Sequence, residues 1–338
     1  MQRMTVKRYL KLALPVMPVL AILLSLFIGR YKADPFTILY LLASKLPFVG
    51  IDPLPATLET AILQVRLPRI ILAMLVGMSL SISGASFQGV FRNPLVSSHI
   101  LGVENGAAFG AALAILLGAP MFVVQLAAFI SGMISVGLTY SISRFYKSTP
   151  TLTLVLSGVI VGAFFAALVS LIKYSADPWD KLPAIVFWLM GSLAKSSVKD
   201  LTLVIPPMVV SIFALLLVRW RINILSMGEE DARALGVDVE KFRLMIIFFC
   251  TMATSAAVCV SGVIGWVGLV IPHIGRMLVG PDHKVLLPAT ISIGGVYLLL
   301  MDDLARTITV AEIPLGILTA IIGAPFFAYL LRKGTSWA

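Results

Sequence analysis

Three histidines (His99, His273, His283) and two cysteines (Cys250, Cys259) are the imidazole and thiol groups available in 338 residues. No histidine stands in HExxH or at ligand spacing to a cysteine, so a metal site or metallohydrolase lacks a donor set. His273 and His283 flank a glycine-proline turn, where they suit structural hydrogen bonding in a loop better than a metal pair. On one helix the two cysteines would lie about 13 Å apart, beyond disulfide reach, and they read as packing residues facing lipid or core. The run SISGASFQG (81–89) offers serines among small residues. Its G-A-S-F-Q spacing is not the G-x-S-x-G nucleophile elbow, and close helix packing through Gly84, Ala85 and Gly89 accounts for it. No nucleophile and base pair can be named, which disfavours an intramembrane enzyme. No G-x-x-x-x-G-K-[ST] phosphate loop occurs either, so the chain does not hydrolyse ATP by that route. Glu104, Asp302, Asp303 and Glu312 fall towards the ends of apolar runs. An ion-coupled carrier keeps a carboxylate nearer the midplane, which weakens the secondary-transporter reading.

The elements that must position these groups are membrane helices. Apolar residues make up 59% of the chain and charged residues 12%, with a mean hydropathy of +1.01, against about 25% charged in an ordinary soluble domain. The apolar runs are continuous rather than alternating, which excludes a β-barrel. The fold class is therefore all-α, a polytopic membrane protein. At about 20 residues per span, about ten spans are expected, near 11–29, 68–90, 101–118, 121–143, 151–172, 201–218, 244–262, 264–279, 285–301 and 313–331. Arg3, Lys7, Arg8 and Lys11 precede the first run, but SLFIGRYKAD contains no small-residue cleavage site, so this run reads as a retained span rather than a signal peptide. With the N-terminus inside, the larger share of the 26 Lys and Arg falls in inside loops. An even span count then places both termini in the cytoplasm. That bias, together with anionic lipid, accounts for the net charge of +10 without nucleic acid.

One charged stretch interrupts the apolar chain. SMGEEDARALGVDVEKFR (226–243) carries Glu229, Glu230, Asp231, Asp238 and Glu240 between two spans. Ser226 and Glu229 have capping-box spacing, Gly236 suits a left-handed stop, and Asp238 suits the cap of the next helix. The expectation is a helix of about nine residues over 227–235, on the cytoplasmic face. A solvated loop is the plainer reading of such a charge run, and a rigid element that a partner can push on is the other.

The segment GEEDARALGV resembles the cytoplasmic coupling segment of the FecCD family, permeases that import iron chelates, haem and cobalamin through ATP-binding cassette (ABC) transporters. QVRLPRIILAMLVGMSLSISGASFQGVFRNPLVSSHILGVENGA (64–107), FWLMGSL (187–193), GWVGLVIPHIGRMLVGPDHKVLLP (265–288) and EIPLGILTAIIGAPFFAYLL (312–331) are similar to further family blocks, in the family's order. The resemblance implies one transmembrane domain over 1–338, with the 226–243 coupling segment inside it and the type II importer fold of cobalamin permeases. It implies a homodimer in a prokaryotic inner membrane, two ATPase subunits that hold the ATP and magnesium, an extracytoplasmic substrate-binding protein, and no cofactor in this chain.

By the same resemblance, Gly228, Glu229, Glu230, Asp231, Ala232, Arg233, Ala234, Leu235 and Gly236 seat in the ATPase. Arg66 and Arg69 in VRLPR, with Arg306 in DDLAR, would receive acidic residues of the binding protein; from the residues alone, arginines snorkelling at the lipid interface serve equally. Asn93 and Leu95 in the FRNPL turn, with Thr151, become inner-gate candidates, the turn being placed against Ser148, Thr149 and Pro150. Pro150 departs from the small hydroxyl residue expected there. FWLMGSL reads as a surface or re-entrant helix on the periplasmic side. The implied cargo is a metal chelate, with molybdate or tungstate as the alternative.

Overall fold

The computed structural model describes residues 2–29, 34–45, 55–146 and 151–332. The chain runs through α1 (Gln2–Phe27), α2 (Pro35–Ser44) and α3 (Ala56–Glu59), which passes through a wider π-type stretch (Thr60–Arg66) into α4 (Leu67–Phe91). Then follow α5 (Val103–Leu116), α6 (Met121–Ser143), α7 (Thr151–Ser175), α8 (Lys181–Leu189), α9 (Val198–Met227) and α10 (Glu229–Ala234). The order closes with α11 (Val239–Ser261), α12 (Val267–Val279), α13 (His283–Thr307) and α14 (Leu315–Arg332). No strand occurs among the described residues.

Each of the ten expected spans coincides with a helix. Among the described residues, six stretches are long and apolar enough to cross a membrane: Ala56–Phe91, Met121–Ser143, Thr151–Ser175, Val198–Met227, Val239–Ser261 and His283–Thr307. The other four fall on shorter apolar helices, Ala13–Phe27, Val103–Leu116, Val267–Val279 and Leu315–Leu330. The helices α2 and α3 were not expected. FWLMGSL is helical only as far as Leu189; Gly191 then takes φ +75°. The carbonyls of Met190 and Gly191 accept from the amides of Gly316 and Leu315, satisfying the free N–H groups that open α14. A Cβ at Gly191 would lie 2.7 Å from the Val263 carbonyl oxygen, so this crossing needs glycine for both space and torsion.

The axis of the molecule is α4, against which α9, α11, α12 and α13 pack. Its serines and glycines, which looked like packing residues in the sequence, are buried. With no Cβ, Gly77 lies against the Gly294 carbonyl of α13 and Gly84 against that of Gly268 on α12, which lets the backbones approach closely. Gly84→Val is expected to lower the unfolding free energy in detergent by about 1–3 kcal/mol through overpacking. Gly137→Ala, whose Cβ meets open space, should leave the unfolding midpoint unreduced.

Apolar packing divides between the two ends of α4. One cluster gathers around its N-terminal half with Leu26, Ile38, Leu193 and Leu299. The other gathers around its C-terminal half with Leu215, Ile222, Ile247 and Leu287. Charged sites sit beyond each cluster.

Candidate functional site

At the C-terminal end of α4, the charged stretch forms a clamped corner. Contrary to the capping-box expectation, Ser226 belongs to the last turn of α9, where its Oγ donates to the Asn223 carbonyl at 2.6 Å. The break comes two residues later, at Gly228 (φ +144°), a conformation that a serine would not adopt, and α10 has six residues rather than about nine. Its N-terminus has no side-chain cap; Glu229, Glu230 and Asp231 in the first turn favour the positive end of the helix dipole instead. The stop is at Gly236 (φ +75°), where the Gly236 and Val237 amides donate to Arg233 and Ala232 carbonyls. Asp238 caps α11 through the Lys241 amide at 3.1 Å.

This corner is held rather than loose. Glu229 pairs with the buried Arg243 of α11 and lies 3.7 Å from Arg233. Ala232, Val237 and Val239 are buried beneath it. Glu230, Asp231 and Ala234 face outward, as does Leu235, 60% exposed beside these acids. The corner thus presents an acidic rim with one apolar side chain on a fixed backbone, which is a surface a partner can grip.

Beside it lies the FRNPL turn. Arg92 ends α4 in the left-handed conformation, and Asn93 Oδ1 accepts from the Leu95 amide at 2.9 Å. Leu95 is half-exposed. The loop is tethered to α5, since Ser98 Oγ donates to Glu104 Oε1 at 3.0 Å and His99 Nδ1 lies 3.3 Å from Glu104 Oε2. Packing of Gly158 against the Ile100 carbonyl brings α7, which begins at Thr151, alongside the loop. Ser148, Thr149 and Pro150 lie outside the described residues. The Glu104 hydrogen bond and charge raise His99 above its ordinary value of 6.5. A raised folded-state value means this contact stabilises fully below about 6.5 and loses its effect as pH rises through the raised value. His99→Gln should therefore lower the detergent unfolding midpoint at acidic pH, with the difference vanishing at alkaline pH.

At the opposite end, Arg66, Arg69 and Arg306 come together, but buried, with exposures of 5%, 7% and 5%. Arg69 grips Asp302 of α13 through Nε (3.0 and 2.9 Å) and Nη2 (2.8 Å), and Glu312 through Nη1 (3.0 Å). Arg66 donates to the Leu26 carbonyl at 2.6 Å. Arg306 pairs with Asp303 and donates to Ser25 Oγ at 2.7 Å. Two guanidinium groups thus pair with three carboxylates within the chain, and Arg66 beside them holds a backbone carbonyl. Their burial is not the geometry of lipid-interface snorkelling, and any partner's acid would meet arginines already occupied. Only Glu312, on the loop before α14, is appreciably exposed, at 23% of its side chain. It also faces a cavity of about 560 Å³ bounded by Trp188, Lys195, Gln125, Asp200 and Ser261.

Cys250 and Cys259 are buried thiols of the core, so the packing expectation resolves to core rather than lipid. His283 Nδ1 lies 2.9 Å from Asn223 Oδ1, and His273 packs edge-on to Phe327. Among the described residues no group of three His, Cys, Asp or Glu could hold a metal. Sequence reasoning missed Asn223 and Glu312. Nothing local marks Asn223, whereas the presence of both acids and arginines at run ends was a signal for Glu312.

The profile of the FecCD transport family matches residues 17–333. The molybdate import permease MolB of Haemophilus influenzae is 43% identical over 95% of this chain and 94% of its own. The cobalamin import permease BtuC of Halobacterium salinarum is 44% identical over 82% and 75%. A structure of an inward-facing ABC transporter of metal-chelate type superposes with a TM-score of 0.85 at 43% identity, covering 96% of this chain and 99% of that one. PsaBC of Streptococcus pneumoniae, at 18% identity and a TM-score of 0.56 over 77% and 88%, shares the fold alone.

Proposed function

Because the chain belongs to the FecCD transport family of ABC importer permeases, we propose that it forms, as a homodimer, the pathway for a metal chelate, with a molybdate-type oxyanion as the alternative, and draws its energy from two ATPase subunits seated on Gly228–Gly236. The observation that carries this reading is the corner itself: a short helix on a fixed backbone, with Leu235 exposed among Glu230 and Asp231 and Glu229 tied to Arg243 of the next span. A rigid element joined to two spans can turn closure of a partner into helix movement. That assignment puts the Gly236 end in the cytoplasm, with both termini, and the Arg69 end outside. It leaves Asn93, Leu95 and Thr151 beside the inner constriction.

At the outer end, docking of a substrate-binding protein is assigned to the surface above Arg66, Arg69 and Arg306. There Glu312 must move before a partner's carboxylate reaches Arg69. Charge pairs of this kind set registry and encounter rate more than total affinity. Arg66→Glu with Arg306→Glu should slow association of the binding protein with a steep salt dependence; association rates indifferent to both charge and salt would remove the arginines from docking.

The cargo reading admits two chemistries. Metal chelates suit a wide apolar pathway, and relatives named for cobalamin and iron chelatin support them. An oxyanion is supported by the molybdate relative, similar along 95% of this chain. Calorimetry on the cognate binding protein with molybdate, tungstate, cobalamin, haemin and ferric citrate decides the class. Tight binding of one is the expected result, and binding of none of them counts against a metal-bearing cargo.

A further inference from the structure

We propose that Asn223 is the positioning residue that transmits movement of the Gly228–Gly236 corner to α13, and through α13 to the opposite end of the protein. The inference rests on the reading of that corner as the ATPase seat.

Asn223 stands in the last turns of α9, five residues before the hinge glycine Gly228. Its side-chain amide engages the start of α13 through both its nitrogen and its oxygen. Nδ2 donates to Asp282 Oδ1 at 2.6 Å, while Oδ1 accepts from the His283 amide at 2.8 Å and lies 2.9 Å from His283 Nδ1. Asp282 is itself the cap of α13, accepting from the Lys284 amide at 2.9 Å. One side chain thus fastens the end of α9 to both the cap and the first residue of α13. The opposite side of His283 is closed by α4, since a Cβ at Gly89 would lie 2.5 Å from its Nε2. Next to this contact, Arg276 of α12 donates to Gln88 of α4 at 2.6 Å.

The far end of α13 carries Asp302, Asp303 and Arg306, which pair with Arg69 and bond Ser25. Between the ends, close contact of Gly294 with Gly77 and Ser81 lets α13 move with α4 as one body. A displacement entering at Gly228 therefore reaches the outer arginine cluster along a continuous helix, with the Asn223 bond adding a directional polar tie to the apolar packing of α9 on α4 and α13. Physical adjacency alone does not make a pathway. The defining feature is that the amide supplies a donor to an acid and an acceptor to an amide N–H at once, so its chemistry can be inverted and restored.

Asn223→Asp sets a carboxylate against Asp282 and breaks the bond by repulsion. Adding Asp282→Asn reverses the pair, with the new amide nitrogen donating to the new carboxylate and the His283 amide keeping its acceptor, while the Lys284 amide, which shares Asp282 Oδ1 with Asn223, gives up its bond to that atom. The readout is the distance between spin labels at Tyr174→Cys on α7 and Ile308→Cys after α13. Both sites are exposed, and the native Cys250 and Cys259 are buried. The permease–ATPase complex in liposomes is measured with and without ATP plus vanadate.

In the otherwise unaltered protein, nucleotide is expected to shift the distance populations. In Asn223→Asp the shift in population ratio falls about tenfold while ATP hydrolysis continues, and the double variant recovers it. Asn223→Ser, which removes the bond without adding charge, repeats the loss and serves if the aspartate variant fails to fold. A full shift in the single variants, no recovery in the double variant, or no nucleotide-dependent shift in the parent overturns the proposal. Leu235→Glu is measured alongside. If it still shifts fully and retains its ATPase, the seat reading fails, whereas a Leu235→Glu loss with a normal Asn223→Asp overturns the role of Asn223 alone.

Discussion

Asp302→Ala is expected to destabilise the protein by about 3–5 kcal/mol, the largest effect of any single substitution considered. The carboxylate is fully buried and takes three contacts from Arg69. Removing it leaves a guanidinium inside the protein with only Glu312 beside it, and an uncompensated buried charge costs more than the pair contributed. Arg69→Met combined with Asp302→Leu removes both charges and should recover much of the loss, leaving Glu312 to the solvent it already partly meets. Unfolding midpoints of the purified protein in detergent test both variants. Equal losses in the single and double variants would show that Arg69 matters through packing rather than charge. The same experiment separates stability from docking, because the double variant removes a proposed contact of the binding protein while keeping the fold.

Leu235→Glu is expected to weaken ATPase attachment by about 2 kcal/mol, on the order of 30-fold in affinity, and to abolish coupled transport while leaving the detergent unfolding midpoint unchanged. Leu235 ends α10 with 60% of its surface exposed, so the folded chain loses little when it changes. An apolar side chain among acids is the type of group that anchors an interface once a partner covers it. Glu230→Lys should act in the same direction through charge. Co-purification of the ATPase and ATP-dependent uptake read the result, and intact attachment in both variants would mean that the partner sits elsewhere.

How much of this was legible in the sequence depends on the range of the interaction. Continuous apolar runs identified all ten helices expected to span, because burial in lipid makes backbone hydrogen bonding within each run obligatory. Gly236 and Asp238 also did locally what their types imply. The Ser226 cap did not form, because its spacing pattern competed with a glycine two residues on that breaks the helix more readily. The helix α2, ten residues long, fell below the length that marks a span. Least legible were the outer arginines, whose partners lie far along the chain. Arg69 and Asp302 are separated by 233 positions, and no periodicity reports such a contact. Counting acids at run ends against arginines at run ends would have raised it.

Energy entering through an ATPase partner is measured most directly by uptake into proteoliposomes. The permease is reconstituted with its ATPase and its binding protein, and molybdate, cobalamin, haemin and ferric citrate are offered in turn. Uptake of one cargo that requires the ATPase and ATP, and that is lost in Leu235→Glu, is the predicted result. Uptake that persists without the ATPase under a proton gradient would contradict it.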